Sequence, residues 1–354
     1  HMGYDCYYED CTYDHVVSAF DPNTFDKEWE FKLYGKDYML YNFKVVNIDG
    51  EGKDELMLSG IGNDAPLLLV DSSKNIIYEK TFAPGNGPEG SEYKLHDFWV
   101  KDINNDQDKE MIVSRTHVLL RDEFQIMTFN AENPDQDNDG VIEKEDVLWE
   151  SVNLTSKNWG NTYIEGAKFS DIDNDGMQEM IANLMVLEDA YGVERSSYVF
   201  AFDFENNRVI WKSEDLGRAS IFDLEIADVN NDGRKEIITG RSSEILVYNL
   251  DDFTLEREFS SAGYEKSWAP YQVDVYDIDD DSVKEIIARI SHARFQGYGD
   301  ERIYVFDTET KDVEWFSESL GRVMMSTAGH PNVNYDVDED GLKTVGAFGA
   351  FARV

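Results

Sequence analysis

The nine residues DIDNDGMQE, 171–179, place Asp171, Asp173 and Asp175 on alternate positions, follow them with Gly176 and end on Glu179. Carboxylates this close repel one another and raise one another's pKa, so the cluster is unfavourable without a cation among them. A hard divalent ion is the natural occupant. The same pattern recurs in NIDGEGKDE from Asn47, DINNDQDKE from Asp102, DVNNDGRKE from Asp228, DIDDDSVKE from Asp277 and DVDEDGLKT from Asp336. Successive units start 49 to 69 residues apart, the period of a propeller blade.

Each acidic loop follows an alternating run such as DLEIADV and precedes an aliphatic one such as EIITG, which is strand chemistry on both sides. Later in the unit come FAFD and YVFD, ending at Asp203 and Asp307, with Trp211 and Trp315 eight residues on. A unit therefore reads as four strands, A to D, with the acidic loop joining A to B and a turn after the Asp joining C to D. The amino-terminal SAFD, ending at Asp21, is followed by Trp29 but has no acidic loop before it, whereas the Asp336 loop has no such Asp and Trp after it. The expected fold is an all-β, six-bladed β-propeller of four-stranded blades. Pairing of the N- and C-terminal strands closes the ring and removes its open edges. Trp29, Trp149, Trp211 and Trp315 share one repeated position and are expected in the core.

In one unit Asn130 stands at the C–D turn and Trp149 follows 19 residues later instead of eight. The excess contains DQDNDGVIEKED, 135–146, which matches an EF-hand loop: Asp135, Asp137 and Asp139 at positions 1, 3 and 5, Gly140 at 6, the Val141 carbonyl at 7, Glu143 at 9 and Asp146 at 12. Without long helical flanks it reads as a grafted calcium loop, separable from the fold. The expected domain plan is a tail over 1–12 and one propeller over 13–354 carrying the insertion 135–146. The opening His1-Met2 reads as a cloning remnant, with any native signal peptide removed.

These repeats resemble the FG-GAP or VCBS propellers, the class that includes the integrin α-subunit head and microbial surface proteins. The resemblance covers the chain from about residue 13 to its end. It implies several structural Ca²⁺ ions, held by side chains at loop positions 1, 3, 5 and 9 and by the carbonyl at 7. The implied ligands are Asn47, Asp49, Glu51 and Glu55; Asp102, Asn104, Asp106 and Glu110; Asp171, Asp173, Asp175 and Glu179; Asp228, Asn230, Asp232 and Glu236; and Asp277, Asp279, Asp281 and Glu285. The sixth loop keeps Asp336, Asp338 and Asp340 but has Thr344 at position 9, and Gln107 and Ser282 stand where a turn glycine is usual.

Among 354 residues, 73 acids against 32 bases give a formal net charge of -41, which opposes binding to nucleic acid. No apolar run approaches the roughly 18 residues of a membrane span, so no membrane insertion is expected. The two cysteines, Cys6 and Cys11, either close a small disulfide loop suited to an oxidising compartment or are free thiols.

Strand alternation puts the A–B and C–D loops at one face of the disc, leaving the other for a partner. That face is expected to carry the longer B–C connections LEDAYGVERSS and SHARFQGYGDE. Trp159, Tyr191, Trp268, Arg294, Phe295 and Tyr298 are expected there, either as an aromatic and guanidinium set suited to a sugar or a protein, or with each aromatic covering its own blade. No nucleophile elbow, phosphate loop or zinc helix is present, and two glycosidase carboxylates cannot be singled out among so many acids. The leading expectation is an extracellular, calcium-stabilised adhesion or glycan-recognition module, monomeric or part of a larger surface protein. The alternatives are a calcium-dependent polysaccharide lyase or glycoside hydrolase, and a purely structural domain. The enzyme reading is prompted by the segment 315–341, which is similar to blades of rhamnogalacturonan lyase propellers.

Overall fold

The computed structural model describes residues 13–20, 26–36, 39–48, 50, 53–61, 66–82, 93–117, 124–142, 144–152, 154, 162–187, 195–217, 223–241, 244–260, 268–278, 282–294, 298–318, 332–335 and 344–346. Among them the chain is all-β, with one short 3₁₀ turn at Lys144–Asp146 and no helix able to cross a membrane.

Strands β1 (Tyr13–Phe20) and β2 (Lys27–Lys36) form a hairpin, sheet 1. Sheet 2 is the meander β3 (Met39–Val46), β4 (Glu55–Ile61), β5 (Pro66–Val70) and β6 (Ile76–Phe82). Sheet 3 comprises β7 (Tyr93–Lys101), β8 (Glu110–His117) and β9 (Phe124–Asn130), then, after β10 (Val141–Ile142), β11 (Trp149–Glu150). Sheet 4 holds β12 (Thr162–Ser170), β13 (Glu179–Leu187), β14 (Arg195–Asp203) and β15 (Arg208–Lys212). Sheet 5 holds β16 (Leu224–Ala227), β17 (Glu236–Arg241), β18 (Glu244–Asn249) and β19 (Leu255–Ser260). Sheet 6 holds β20 (Trp268–Tyr276), β21 (Glu285–Arg294), β22 (Tyr298–Asp307) and β23 (Val313–Phe316). A last hairpin, sheet 7, joins β24 (Asn332–Tyr335) and β25 (Thr344–Gly346). Five four-stranded meanders, each with its acidic loop between the first two strands, make a propeller-like fold. Among the described residues the first and last hairpins remain separate two-stranded sheets.

The chain divides into two compact units, His1–Tyr163 with Phe204–Arg208, and Ile164–Asp203 with Val209–Val354. In the first, sheet 2 is buried on both faces. Leu56, Leu58, Leu68 and Val70 pack with Phe31 and Leu33 of sheet 1, while Met57, Leu67 and Leu69 pack with Phe98, Met111 and Phe129 of sheet 3. This two-sided burial explains why β5 reads PLLLV without polar alternation. The second unit repeats the device: in sheet 5, Ile237 and Leu246 face sheet 4 while Ile238, Ile245 and Val247 face sheet 6.

Three expectations are corrected. The repeated tryptophans sit at the margin of the core and not inside it, because they lie on the last strand of each sheet: Trp29 and Trp211 are half-buried against core clusters. Trp29 Nε1 donates to the Ser72 carbonyl at 3.1 Å, Trp149 packs edge-on to Phe204 at 5.3 Å, and Trp211 stacks on Phe253 at 4.8 Å. Each thus covers the C–D turn of the following sheet, while Trp315 is 50% exposed. Second, the connection expected over SHARFQGYGDE is mostly strand: β21 runs through Arg294 and β22 resumes at Tyr298, because the two pair in register to that point. Third, the 135–146 insertion is not a detached graft. Its β10 adds parallel to β6 of sheet 2, with Val141 opposite Thr81 and Ile142 opposite Phe82. The Ile142 side chain is buried in the core shared by sheets 2 and 3, and apolar burial of that kind cannot be given up freely.

Candidate metal centres

The blade loops owe their shape to their own short-range hydrogen bonds. In the Asp228 loop the Asp232 N–H meets Asp228 Oδ1 at 3.1 Å and Asn230 Oδ1 at 2.9 Å, the Gly233 N–H donates to Asp228 Oδ2 at 2.9 Å, and the Arg234 N–H to Asp232 Oδ1 at 2.9 Å. The Asp171 loop repeats all four bonds, as does the Asp102 loop with the Gln107 and Asp108 N–H groups in the last two places. Two left-handed residues make the winding possible. Asn105, Asn174 and Asn231 at position 4 have φ between 57° and 62°, and Gly176 and Gly233 at position 6 have φ of 95° and 86°. Gln107 and Ser282 adopt the same conformation, at 82° and 76°, although they have a Cβ. The fold demands the turn even where the sequence lacks glycine.

A position-9 glutamate closes five of the loops. Glu55, Glu110, Glu179, Glu236 and Glu285 are all buried, and each accepts the N–H of the position-2 residue through Oε2. The bonds come from Ile48 at 2.9 Å, Ile103 at 3.0 Å, Ile172 at 2.7 Å, Val229 at 2.9 Å and Ile278 at 2.7 Å. Burial pushes Glu179 up to about 7, with Asp173, Asp175 and Asp171 adding to the effect against the opposing Ile172 N–H. Burial does the same to Glu236, also to about 7, and raises Glu110. A cation would relieve this repulsion and restore the charged form. One carboxylate oxygen from each of Asp171, Asp173 and Glu179 lies within 4.8 Å of the others, and Asn47 Oδ1 is buried without a hydrogen bond. The donor set, all oxygen and mostly anionic, fits a hard divalent ion.

In the insertion, Asp135, Asp137 and Asp139 likewise bring oxygens within 4.8 Å. The Gly140 N–H donates to Asp135 Oδ2 at 2.9 Å, the Val141 N–H to Asp139 Oδ1 at 2.8 Å, and the Gln136 N–H to Asp146 Oδ1 at 2.7 Å. Asp135 is fully buried and pairs with Lys80 of β6, Nζ to Oδ2 at 2.6 Å. The lysine's partner lies 55 residues away, and nothing in the motif announced it.

Asp49, Glu51, Asp279, Asp281, Asp336, Asp338, Asp340 and Glu143 lie outside the described residues, as do Trp159, Tyr191, Phe295, Cys6 and Cys11. The backbone sets Trp268 at the start of β20, opposite Ser291, and Arg294 opposite Tyr298 at the tip of the β21–β22 hairpin. These positions lie at the end of sheet 6 remote from its Asp277 loop. The acidic loops, by contrast, sit beside the C–D turns: the Ala131 N–H donates to Lys109 O at 3.0 Å, the Leu250 N–H to Lys235 O at 3.0 Å, and Thr308 Oγ1 to Lys284 O at 2.6 Å.

A second repeated feature escaped the sequence reading. Ser151, Ser213 and Ser317 each stand two residues after a tryptophan of the last strand. Their hydroxyls accept the N–H groups of Ile126, Val199 and Ile303 at 2.9 to 3.0 Å and donate to the next carbonyl at 2.8 Å. The signal was present as WES, WKS and WFS.

The fold and loops together define an all-β, propeller-like protein whose acidic groups could hold metal ions. The chain matches no protein-family model and no curated protein sequence. Among solved structures it resembles a rhamnogalacturonan lyase of Bacillus licheniformis, with 13% identity and a TM-score of 0.52 over 96% of this chain and 63% of the lyase. It also matches the V. cholerae biofilm matrix protein Bap1, with 14% identity and a TM-score of 0.46 over 80% of this chain. A third match is a Bacteroides caccae protein of unknown function, with 12% identity and a TM-score of 0.44 over 87% of this chain and 94% of that one. This chain spans 40% of the matrix protein's length and 63% of the lyase's. The lyase likeness shows the fold alone.

Proposed function

We propose that this protein is a calcium-stabilised six-bladed β-propeller of the FG-GAP or VCBS kind, acting outside the cell as a binding or adhesion module for a glycan or a protein. In this reading residues 13–354 form one ring, and sheet 7 supplies strands A and B to the blade whose strands C and D are β1 and β2. The observation that carries it is the buried glutamate repeated in five loops with one hydrogen bond. Such carboxylates, beside further acids, are unfavourable unless calcium or a similar ion completes the site. The ions would be structural, stitching the first two strands of each blade. The partner then belongs at the opposite end, with Trp268, Arg294 and Tyr298, together with Phe295, Trp159 and Tyr191 on neighbouring connections. A forked donor among aromatic rings suits a sugar or an acidic side chain.

A glycan array on the calcium-loaded protein, followed by incubation with the retained polysaccharide, tests this. Retention of an unchanged glycan, lost on replacing Arg294 and Trp268 by Ala but not on replacing Asp171, supports the reading. Release of unsaturated uronate products would replace it with lyase chemistry.

A further inference from the structure

In the insertion a ligand carboxylate pairs with a lysine of another sheet, whereas the cross-sheet bonds of the Asp228 loop, Lys284 Nζ to the Asp228 carbonyl and Asn231 Nδ2 to the Ser282 carbonyl, both at 2.6 Å, end on backbone carbonyls. Asp135 Oδ2 is held by two donors, the Gly140 N–H at 2.9 Å and Lys80 Nζ at 2.6 Å. Its Oδ1 is buried and has no hydrogen bond, and one carboxylate oxygen from each of Asp135, Asp137 and Asp139 lies within 4.8 Å of the others. Asp146, also buried, closes the loop through the Gln136 N–H. A fully buried carboxylate with one oxygen fixed by a cationic side chain and the other open is a prearranged ligand, because its orientation has already been set.

The same residues dock the insertion. Gly140 and Val141 stand at positions 6 and 7 of the loop, where the carbonyl ligand is expected. The Gly140 carbonyl accepts the Thr81 N–H at 3.2 Å, and Val141 and Ile142 pair with Thr81 and Phe82, the residues that directly follow Lys80. Closing the loop around an ion therefore fixes the peptide that extends sheet 2. Undocking that peptide would withdraw Lys80 from Asp135.

We propose that Lys80 is a positioning residue for a divalent-cation site in the 135–146 loop, so that ion binding there and pairing of β10 with β6 are one coupled event. The proposal rests on the cation-binding reading above and adds that at this site a ligand carboxylate is oriented by a side chain of a neighbouring sheet. Coupling is reciprocal: whatever factor the ion contributes to docking, docking contributes to ion affinity. The opposite arrangement, in which the ammonium competes with the ion, predicts tighter binding when Lys80 is removed.

The test combines calorimetric calcium titration with hydrogen exchange on the full chain. The binding step missing from Asp137→Ala identifies the insertion site. Lys80→Met is expected to weaken that step by tenfold or more and leave the others unchanged, while Lys80→Arg, which keeps the charge and the donors, restores most of the affinity. In the wild type, the amides of Thr81, Phe82, Val141 and Ile142 should gain protection together as that step fills. An unchanged or tighter insertion step in Lys80→Met, or protection of these amides independent of calcium, would overturn the proposal and leave the blade-loop reading intact. A wild type that binds no divalent ion at any loop would overturn both.

Discussion

In the Asp228–Glu236 loop the acids, the left-handed turn and the closing carboxylate all come from nine consecutive residues. In the 135–146 loop the acids and the turn are similar, with Asn138 and Gly140 at φ 60° and 101°, yet the loop is anchored by Lys80 and by a strand added to another sheet. The first kind of site draws its acids and turn from one short sequence between two strands, and Lys284 and Ser282 of the next sheet brace it only through backbone carbonyls. The second exists only once two sheets have packed. Blade loops should therefore follow the stability of their own meander, and the insertion should report on the packing between two.

The largest effect that could break this contrast is removal of the ions. Exhaustive chelation should lower the Tm markedly, since binding restricted to the native state contributes about 2.7 kcal/mol per site at a hundredfold excess over Kd. An unchanged Tm would leave both kinds of loop as ordinary acidic turns. Next comes the insertion itself. Deleting 135–146 and closing with a short turn should cost about 3 kcal/mol by urea denaturation, because it strips Ile142 from the core and Lys80 of its partner. A neutral deletion would restore the detached graft. Slightly smaller is Glu236→Ala, expected to cost about 2 kcal/mol by stranding the buried Val229 N–H, with loss of one bound ion and no change at the insertion. Ser213→Ala should cost about 1 kcal/mol, since its hydroxyl satisfies the Val199 N–H and the Glu214 carbonyl together. Smallest, and opposite in sign, Gln107→Gly and Ser282→Gly should each raise stability by up to about 1 kcal/mol, by removing a Cβ from a left-handed position. A loss of stability in both would mean that their side chains do more for the loop than their backbone strain costs.

Much of this was legible before any coordinates. The strands on either side of each acidic loop appear where the period-two and aliphatic runs placed them, and Asn130 and Asp307 do start C–D turns. The side-chain oxygen of Asn130 accepts the Glu132 and Asn133 N–H groups, and that of Asp307 accepts those of Glu309 and Thr310. The tryptophans misled because a repeated aromatic looks like core, when an outermost strand offers only one neighbouring turn to cover. The Trp-x-Ser feature was visible but mute, since a serine two residues after a tryptophan means nothing until its hydroxyl is found bridging two strands.

The sequence by itself determined the meander and the acidic loops, because alternation, a left-handed turn residue and a glutamate eight positions on are instructions a chain carries out within nine residues or so. Only the tertiary structure decided that Trp211 lies flat on Phe253 and that the insertion lends a strand to sheet 2. Those outcomes depend on partners separated by tens of residues, as Lys80 and Asp135 are by 55. Spacing along the chain encodes local backbone geometry, whereas which distant side chain fills a buried gap is settled by packing alone.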